Sequence, residues 1–173
     1  MCIRDRPLTY FRAAMVVGAA SESYRMLRYL VKRLPAMVAP SWLATPTQPI
    51  GIDDVIAYLE QWPRVEASKG REVEIGGPDV VSYGEMLDLM AHALGVRPRL
   101  KLRVPLLSPG LSSLWIGLVT PVDAGVARPL VEGLRTPTVV EDPSGAALFD
   151  VQPDPLTETL RRAIAEENAR AAA

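Results

Sequence analysis

Few residues in this sequence combine a type and a spacing that could do chemistry. Tyr24 and Arg28 lie one helical turn apart, but an arginine keeps its proton at working pH, so the pair is not predicted to transfer protons. Asp53 and Asp54 follow a short apolar segment, where one of them is expected to cap a helix rather than act as an acid or base. His92 lies inside a predicted helix and is expected to be structural. The sequence therefore indicates no catalytic residue and no metal site.

Composition limits the classes of function further. The chain has 173 residues, a formal net charge of −1, one cysteine and one histidine. This length can form a real core, and the charge gives no reason to expect a nucleic-acid partner. Cys2 alone excludes an internal disulfide, and we expect a cytoplasmic protein. The uncharged run Val104–Val122 is long enough for a membrane span, but its prolines and glycines favour a buried helix instead, and no span is predicted.

Two apolar segments predict strands of a parallel sheet. Leu8–Val17 is nearly all apolar, as strands buried on both faces are. Gly18 turns the chain into a helix over Ser21–Leu34, whose leucines keep helical spacing. Gln48–Ile52 predicts a second strand that leads directly into a helix. Ligands bind beyond the carboxyl ends of such strands, so the residues just before Gly18 are expected to face a cofactor.

The second half predicts a smaller α/β unit. Glu72–Ile75 alternates as a strand, and Ser82-x-x-Glu85 is a capping box before a helix that ends at Gly95. Thr138–Val140 could add a strand. A last helix is predicted to begin at Asp154-Pro155, with the proline at its first position and an inner stripe at Leu156, Leu160 and Ile164.

Three of these segments resemble short-chain dehydrogenases/reductases. Phe11–Gly18 is similar to the Leu-Arg-Pro-x-x-Val-Tyr-Gly segment of the extended enzymes, with Ala13 at the usual proline and Val17 at the usual tyrosine. Ile52–Val55 resembles their Val-x-Asp-Val segment. The run from Leu111 is similar to the tail of atypical NAD(P)H-binding reductases, which are related to NmrA-like proteins and to the complex I accessory subunit.

The resemblance implies an α/β fold: the C-terminal part of a Rossmann-like parallel sheet plus a small α/β substrate-side subdomain. Residues 1–6 fit nothing that follows and are expected to be an artefactual leader, 7–62 the end of the NAD(P)-binding domain, and 63–173 the subdomain. The resemblance also implies that NAD(P) is the cofactor of the intact parent and that its substrate is a small molecule. The implied cofactor-binding residues are Arg12, Ala13, Ala14, Met15 and Gly18, and the implied substrate-side residues are Trp42 and Gln48.

The same resemblance implies what this chain does. It would be a fragment of an NAD(P)-dependent oxidoreductase or of a short-chain dehydrogenase similar to nucleotide-sugar epimerases. The sequence contains neither a Gly-x-x-Gly-x-x-Gly phosphate loop nor a Tyr-x-x-x-Lys pair, so the chain alone is expected to be inactive and to bind no cofactor tightly. The alternative is a non-enzymatic, NmrA-like NAD(P)-binding protein with a regulatory or assembly role.

Overall fold

The computed structural model of the protein describes residues 8–33, 36–39, 41–97, 100–103 and 133–172. Its helices are α1 (Glu22–Arg33), α2 (Ile52–Gln61), α3 (Tyr83–Ala93) and α4 (Leu156–Ala172). Its strands are β1 (Tyr10–Ala13), β2 (Val16–Val17), β3 (Ala36–Ala39), β4 (Pro46–Thr47), β5 (Ile50–Gly51), β6 (Glu72–Ile75), β7 (Val81–Ser82) and β8 (Leu100–Arg103). Short 3₁₀ helices lie at Ser41–Ala44, Trp62–Arg64, Glu66–Ser68 and Ala146–Leu148.

The strand pairs are mainly parallel, which confirms the predicted α/β class. Strand β1 pairs with β6, β2 with β5 and β3 with β8, all in parallel, whereas β4 and β7 are antiparallel. In the first pair Tyr10 lies opposite Glu72 and Ala13 opposite Ile75. This pairing joins strands from the two predicted segments 7–62 and 63–173 in one sheet, and the division at residue 62 remains a prediction.

The strand predicted over Leu8–Val17 is two strands. The chain bends at Ala14, because β1 uses β6 as its partner and β2 uses β5. Strand β1 is also less buried than its apolar sequence suggests, with Tyr10 58% exposed. A one-segment pattern cannot reveal a change of partner, because both partners lie far along the chain.

Helix α1 begins after Ser21 as predicted and is described as far as Arg33, because the predicted last residue, Leu34, lies outside the described residues. The helix supplies much of the larger core. The Ser21 side chain accepts a hydrogen bond from the Tyr24 backbone N–H at 3.2 Å, which caps its first turn. Its inner face packs with α3, α4 and the 3₁₀ helix that contains Trp42. A second core cluster lies around β5, β6 and Tyr58 of α2. The core residues of α1 are Tyr24, Met26, Leu27, Leu30 and Val31.

The capping role predicted for Asp53 or Asp54 is wrong. Helix α2 begins at Ile52, two residues earlier than a cap at Asp53 requires, and Gly51 is its N-cap with no side-chain hydrogen bond. The two aspartates therefore lie inside the first turn. Asp54 is buried, whereas the exposed Asp53 pairs with Arg162 of α4 at 3.1 Å. Both carboxylates still lie at the helix end where the backbone dipole favours negative charge.

Helix α3 has the predicted capping box. The Ser82 hydroxyl accepts a hydrogen bond from the Glu85 N–H at 3.2 Å, and the Glu85 carboxylate accepts one from the Ser82 N–H at 2.7 Å. Gly95 follows the helix with a φ of +67°, the left-handed conformation that a glycine adopts without strain. His92 is on the exposed side of this helix.

Helix α4 begins at Leu156, one residue later than predicted. Pro155 lies just before it, and the carboxylate of Asp79 accepts the Leu156 N–H at 2.7 Å. The cap thus comes from a distant loop, which a local pattern cannot show. Leu156 and Leu160 are buried and Ile164 is half-buried, so the predicted inner stripe is confirmed.

Some predictions fall outside this description. The run Val104–Val122 and the tail segment from Leu111 lie outside the described residues. Within the described ranges, no helix combines the length and the apolar character needed to cross a membrane. Of the possible strand Thr138–Val140, Thr138 forms a single parallel bridge with Thr47.

Candidate functional site

Two adjoining cavities lie against the carboxyl end of β1. The first has a volume of about 240 Å³ and is mostly apolar. The second has a volume of about 350 Å³ and is more polar. Ala13, Ala14 and Thr138 line both of them, so the end of β1 forms part of the wall between the two spaces. The sequence predicted a ligand site along Ala14–Gly18, at the end of a single strand over Leu8–Val17, and the cavities overlap that segment at Ala14 and Met15.

The first cavity brings together four of the predicted site residues. Ala13, Ala14 and Met15 line it from the strand side, and Trp42 lines it from the 3₁₀ helix. The predicted nicotinamide side and the predicted substrate side therefore share one space. The side chains that Ala13 and Ala14 contribute to its lining are small.

An aromatic pair forms one end of this cavity. The ring of Trp42 meets that of Tyr83 edge to face, with 6.2 Å between their centroids. Thr138 is fixed nearby, because its hydroxyl donates to the Thr47 hydroxyl at 2.8 Å. The backbone N–H of Tyr83 donates to the carbonyl of Thr45, which fastens the start of α3 to the segment after Trp42.

Arg12 lies in the second cavity and is held by two carboxylates. Its guanidinium pairs with Glu72 at 3.1 Å and with Glu74. The Glu74 carboxylate also accepts the backbone N–H groups of Glu141 and Asp142 at 2.6 and 3.1 Å. Arg12 is thus neutralised within the sheet, and a ligand anion would compete with both glutamates for it.

The other two predicted site residues lie apart from the first cavity. Gly18 packs against Ile52, and a Cβ there would lie 2.8 Å from a side-chain carbon of Ile52, so this position needs glycine for close packing. The side chain of Gln48 donates to the carbonyl of Gly77 at 2.7 Å and accepts the N–H of Val140 at 3.0 Å, so it joins loops. Their roles toward cofactor and substrate remain predictions.

The Tyr24–Arg28 pair is structural in this fold. The Tyr24 hydroxyl donates to Glu167 at 2.9 Å, and Arg28 pairs with the other oxygen of the same carboxylate at 2.7 Å. Burial and then the bond to Glu167 raise the pKa of Tyr24 well above its ordinary range. The phenol is therefore protonated at any working pH.

Sequence reasoning missed several residues of the cavity. Tyr83, Leu87, Leu134 and Thr138 line it from segments far from β1. The capping box placed Tyr83 at the start of α3, but no local signal connected it to Trp42. The link depends on the antiparallel pairing of β4 with β7, which brings the two segments together.

No protein-family model and no curated protein matches this sequence. Solved structures do match its fold. A UDP-galactose 4-epimerase aligns at 19% identity and a TM-score of 0.55, over 93% of this chain and 45% of the epimerase. A UDP-glucuronic acid 4-epimerase from Bacillus cereus, in complex with UDP-glucuronic acid and NAD, aligns at 14% identity and 0.59, over 95% and 46%. Both matches cover most of this chain and less than half of the matched structure, which fits the predicted fold, part of a Rossmann-like α/β structure.

A third similar structure contains NADPH in place of NAD. RMD from Pseudomonas aeruginosa, complexed with NADPH, aligns at 11% identity and a TM-score of 0.57, over 92% of this chain and 47% of that one. The chain thus spans about half the length of these structures. At these identities the likeness is one of fold.

Proposed function

We propose that this chain supplies the nicotinamide-side strand and the substrate side of an NAD(P)-dependent short-chain dehydrogenase/reductase. The reaction would be that of an oxidoreductase or of an enzyme similar to nucleotide-sugar epimerases. The observation that carries the proposal is the cavity at the carboxyl end of β1, where Ala13, Ala14 and Met15 meet Trp42. The folds complexed with NAD and NADPH support the choice of cofactor.

In this proposal the named residues bind and position, and they do not transfer protons. The backbone and small side chains of Ala13 and Ala14 would lie along the nicotinamide ring, and Met15 would separate it from the apolar core. Arg12 would orient the strand through Glu72 and Glu74. Affinity for NAD(H) or NADP(H) would be millimolar or weaker, about 4 kcal/mol at best, since the sequence has no glycine-rich phosphate loop.

Weak binding can be measured residue by residue by NMR. Titration of the ¹⁵N-labelled chain with nicotinamide mononucleotide is expected to shift the amide signals of Ala13, Ala14 and Met15 in a saturable way. Adenosine monophosphate, which carries a phosphate and ribose but no nicotinamide, is the matched ligand control. Equal shifts with both nucleotides, or none with either, would overturn the proposal.

A pair of variants separates the cavity from a general surface effect. Ala14→Leu fills space that both cavities share and is expected to abolish the shifts. Ala67→Leu makes the same change at an exposed position outside both cavities and is expected to leave the shifts unchanged.

We also propose a cytoplasmic location and no nucleic-acid partner, on the basis of the near-neutral charge and single cysteine. The contacts of the described residues give no specific support to the regulatory or assembly alternative.

A further inference from the structure

The apolar character of the first cavity bears on the class of its ligand. Six leucine and methionine side chains line it together with the rings of Trp42 and Tyr83. Among the described lining residues none carries a charge, and the polar side chains besides the two aromatic ones are Ser23 and Thr138. The hydroxyl of Thr138 already donates to Thr47. The six leucine and methionine residues are Met15, Met26, Leu27, Leu30, Leu87 and Leu134.

Such a lining disfavours a sugar. Each sugar hydroxyl that enters the cavity gives up hydrogen bonds to water, and an unpaired one weakens binding by roughly tenfold or more. A ring or chain of carbon atoms gains affinity from the same surface, because its transfer out of water is favourable. The described lining therefore selects for an apolar body.

The aromatic end offers hydrogen-bond donors. Tyr83 is only 8% exposed, and it lines the same cavity. The indole Nε1 of Trp42, in the same wall, is buried and has no acceptor in the part of the chain that the structure describes. Indole N–H is a donor only, and a phenol donates readily. A ligand atom that meets this end is therefore expected to be an acceptor.

We propose that this cavity binds a small molecule with an apolar body and a carbonyl oxygen, and that the carbonyl accepts a hydrogen bond from the Tyr83 hydroxyl. The proposal rests on the proposed function in taking this cavity as the substrate side. It differs from the nucleotide sugar bound by the similar epimerase structure. Trp42 and Leu87 would hold the apolar body, and Tyr83 would set its orientation.

Two matched probes and one competitor test the ligand class. 1-Tetralone has two fused rings and a carbonyl, and tetralin has the same rings without it. Methyl NMR of ¹³C-methionine-labelled protein reports the location, because Met15 and Met26 line the cavity whereas Met86 and Met90 are buried in α3 outside it. Both probes are expected to shift Met15 and Met26, with 1-tetralone bound about fivefold more tightly.

A substitution at the donor tests the role of the hydroxyl. Tyr83→Phe keeps the ring contact with Trp42 and removes only the oxygen. It is expected to lower the affinity for 1-tetralone about fivefold, to that for tetralin, and to leave the affinity for tetralin unchanged. Tyr58→Phe, at a buried tyrosine in the other core cluster, is the matched control and is expected to change neither affinity. Unchanged methyl spectra without ligand show that each variant is folded.

The outcomes separate this proposal from the proposed function. Binding of UDP-glucuronic acid at Met15 and Met26 with no binding of 1-tetralone overturns the ligand class. Equal affinity of 1-tetralone for the parent protein and Tyr83→Phe overturns the role of the hydroxyl. If 1-tetralone binds as expected but nicotinamide mononucleotide leaves Ala13–Met15 unshifted, the ligand class holds and the cofactor-side proposal fails.

Discussion

Glu167 connects the first and last helices of the described fold through a single carboxylate. One oxygen accepts from the Tyr24 hydroxyl at 2.9 Å and the other pairs with Arg28 at 2.7 Å. The Arg28 and Glu167 side chains are only 19% and 27% exposed, so this pair is less screened by water than the ion pairs at the surface. The Tyr-x-x-x-Arg spacing on α1 is thus explained by helix packing.

Removal of the Tyr24 hydroxyl is expected to destabilise the protein. Tyr24→Phe loses a hydrogen bond to a charged acceptor and leaves Glu167 with Arg28 alone, which should lower the free energy of unfolding by about 1.5 kcal/mol. Urea unfolding followed by circular dichroism measures the change. Tyr29→Phe, on the same helix but without a hydrogen bond to Glu167, is the control. A loss no larger in Tyr24→Phe than in this control would contradict the role of Glu167.

Asp54 predicts a pH dependence of stability. Burial raises its pKa, although the backbone N–H of Asp154, at 3.3 Å from the carboxylate, acts in the opposite direction. A raised pKa in the folded state means that the folded protein binds this proton more tightly than the unfolded chain. The contribution of Asp54 to stability is therefore full below its ordinary value of 3.8 and is lost as the pH rises through the raised value.

Asp54→Asn is expected to remove that dependence. The difference in unfolding free energy between the parent protein and the variant should shift in favour of the variant between about pH 3.5 and about pH 7. Urea titrations at both pH values measure it. Asp150→Asn, at an exposed aspartate, controls for the general effect of removing one carboxylate. A shift of this difference in favour of the parent protein would show that the fold stabilises the charged carboxylate of Asp54, which would contradict the prediction.

At the scale of elements, the capping box of α3 is the clearest local signal. Ser82→Ala removes the acceptor of the Glu85 N–H, so it should lower the free energy of unfolding by about 1 kcal/mol. Ser23→Ala is the control, because Ser23 lies within α1 and the cap of that helix is Ser21. It should have little effect or stabilise slightly, since alanine is the better helix former. Thermal unfolding of both variants measures the difference. An equal loss in the two would mean that the box contributes nothing to stability.

How far the sequence predicted each element depends on how local its cause is. Three predicted features each depend on residues close together in the sequence: the capping box at Ser82, the turn at Gly95 and the apolar stripe of α1. The bend at Ala14 and the cap that Asp79 gives to α4 depend on partners far along the chain, and neither was predicted. Asp54 is not the cap for a different reason. The preceding strand ends one residue earlier than predicted, and Gly51 therefore occupies the N-cap position of α2.

The candidate site follows the same division. Ala13, Ala14 and Met15 were predicted from a family-like segment and from the rule that ligands bind beyond strand ends. The opposite wall was predicted only at Trp42. Tyr83 entered the site through the pairing of β4 with β7, a contact between segments that no periodicity connects.

At the scale of the whole molecule, the described sheet leaves apolar groups in contact with water. Strand β1 has one described partner, β6, and its residue Tyr10 is 58% exposed. Leu8, just before it, is 70% exposed, and helix α2 shows Ile56 and Leu59 at 44% and 50%. An open strand edge next to apolar surface is a site where a second chain can pair.

The protein is therefore expected to self-associate as its concentration rises, and a charge on the open strand should reduce this association. Tyr10→Lys places a cation beside the unpaired edge, where a second strand would have to bury it. Val80→Lys is the control, because Val80 is similarly exposed at 55% but lies in the loop before β7. Sedimentation velocity over a range of concentrations is expected to show a larger monomer fraction for Tyr10→Lys than for Val80→Lys. If both variants lower association equally, added charge rather than the strand edge is the cause, and a parent protein that stays monomeric throughout would show that β1 has no edge open to another chain.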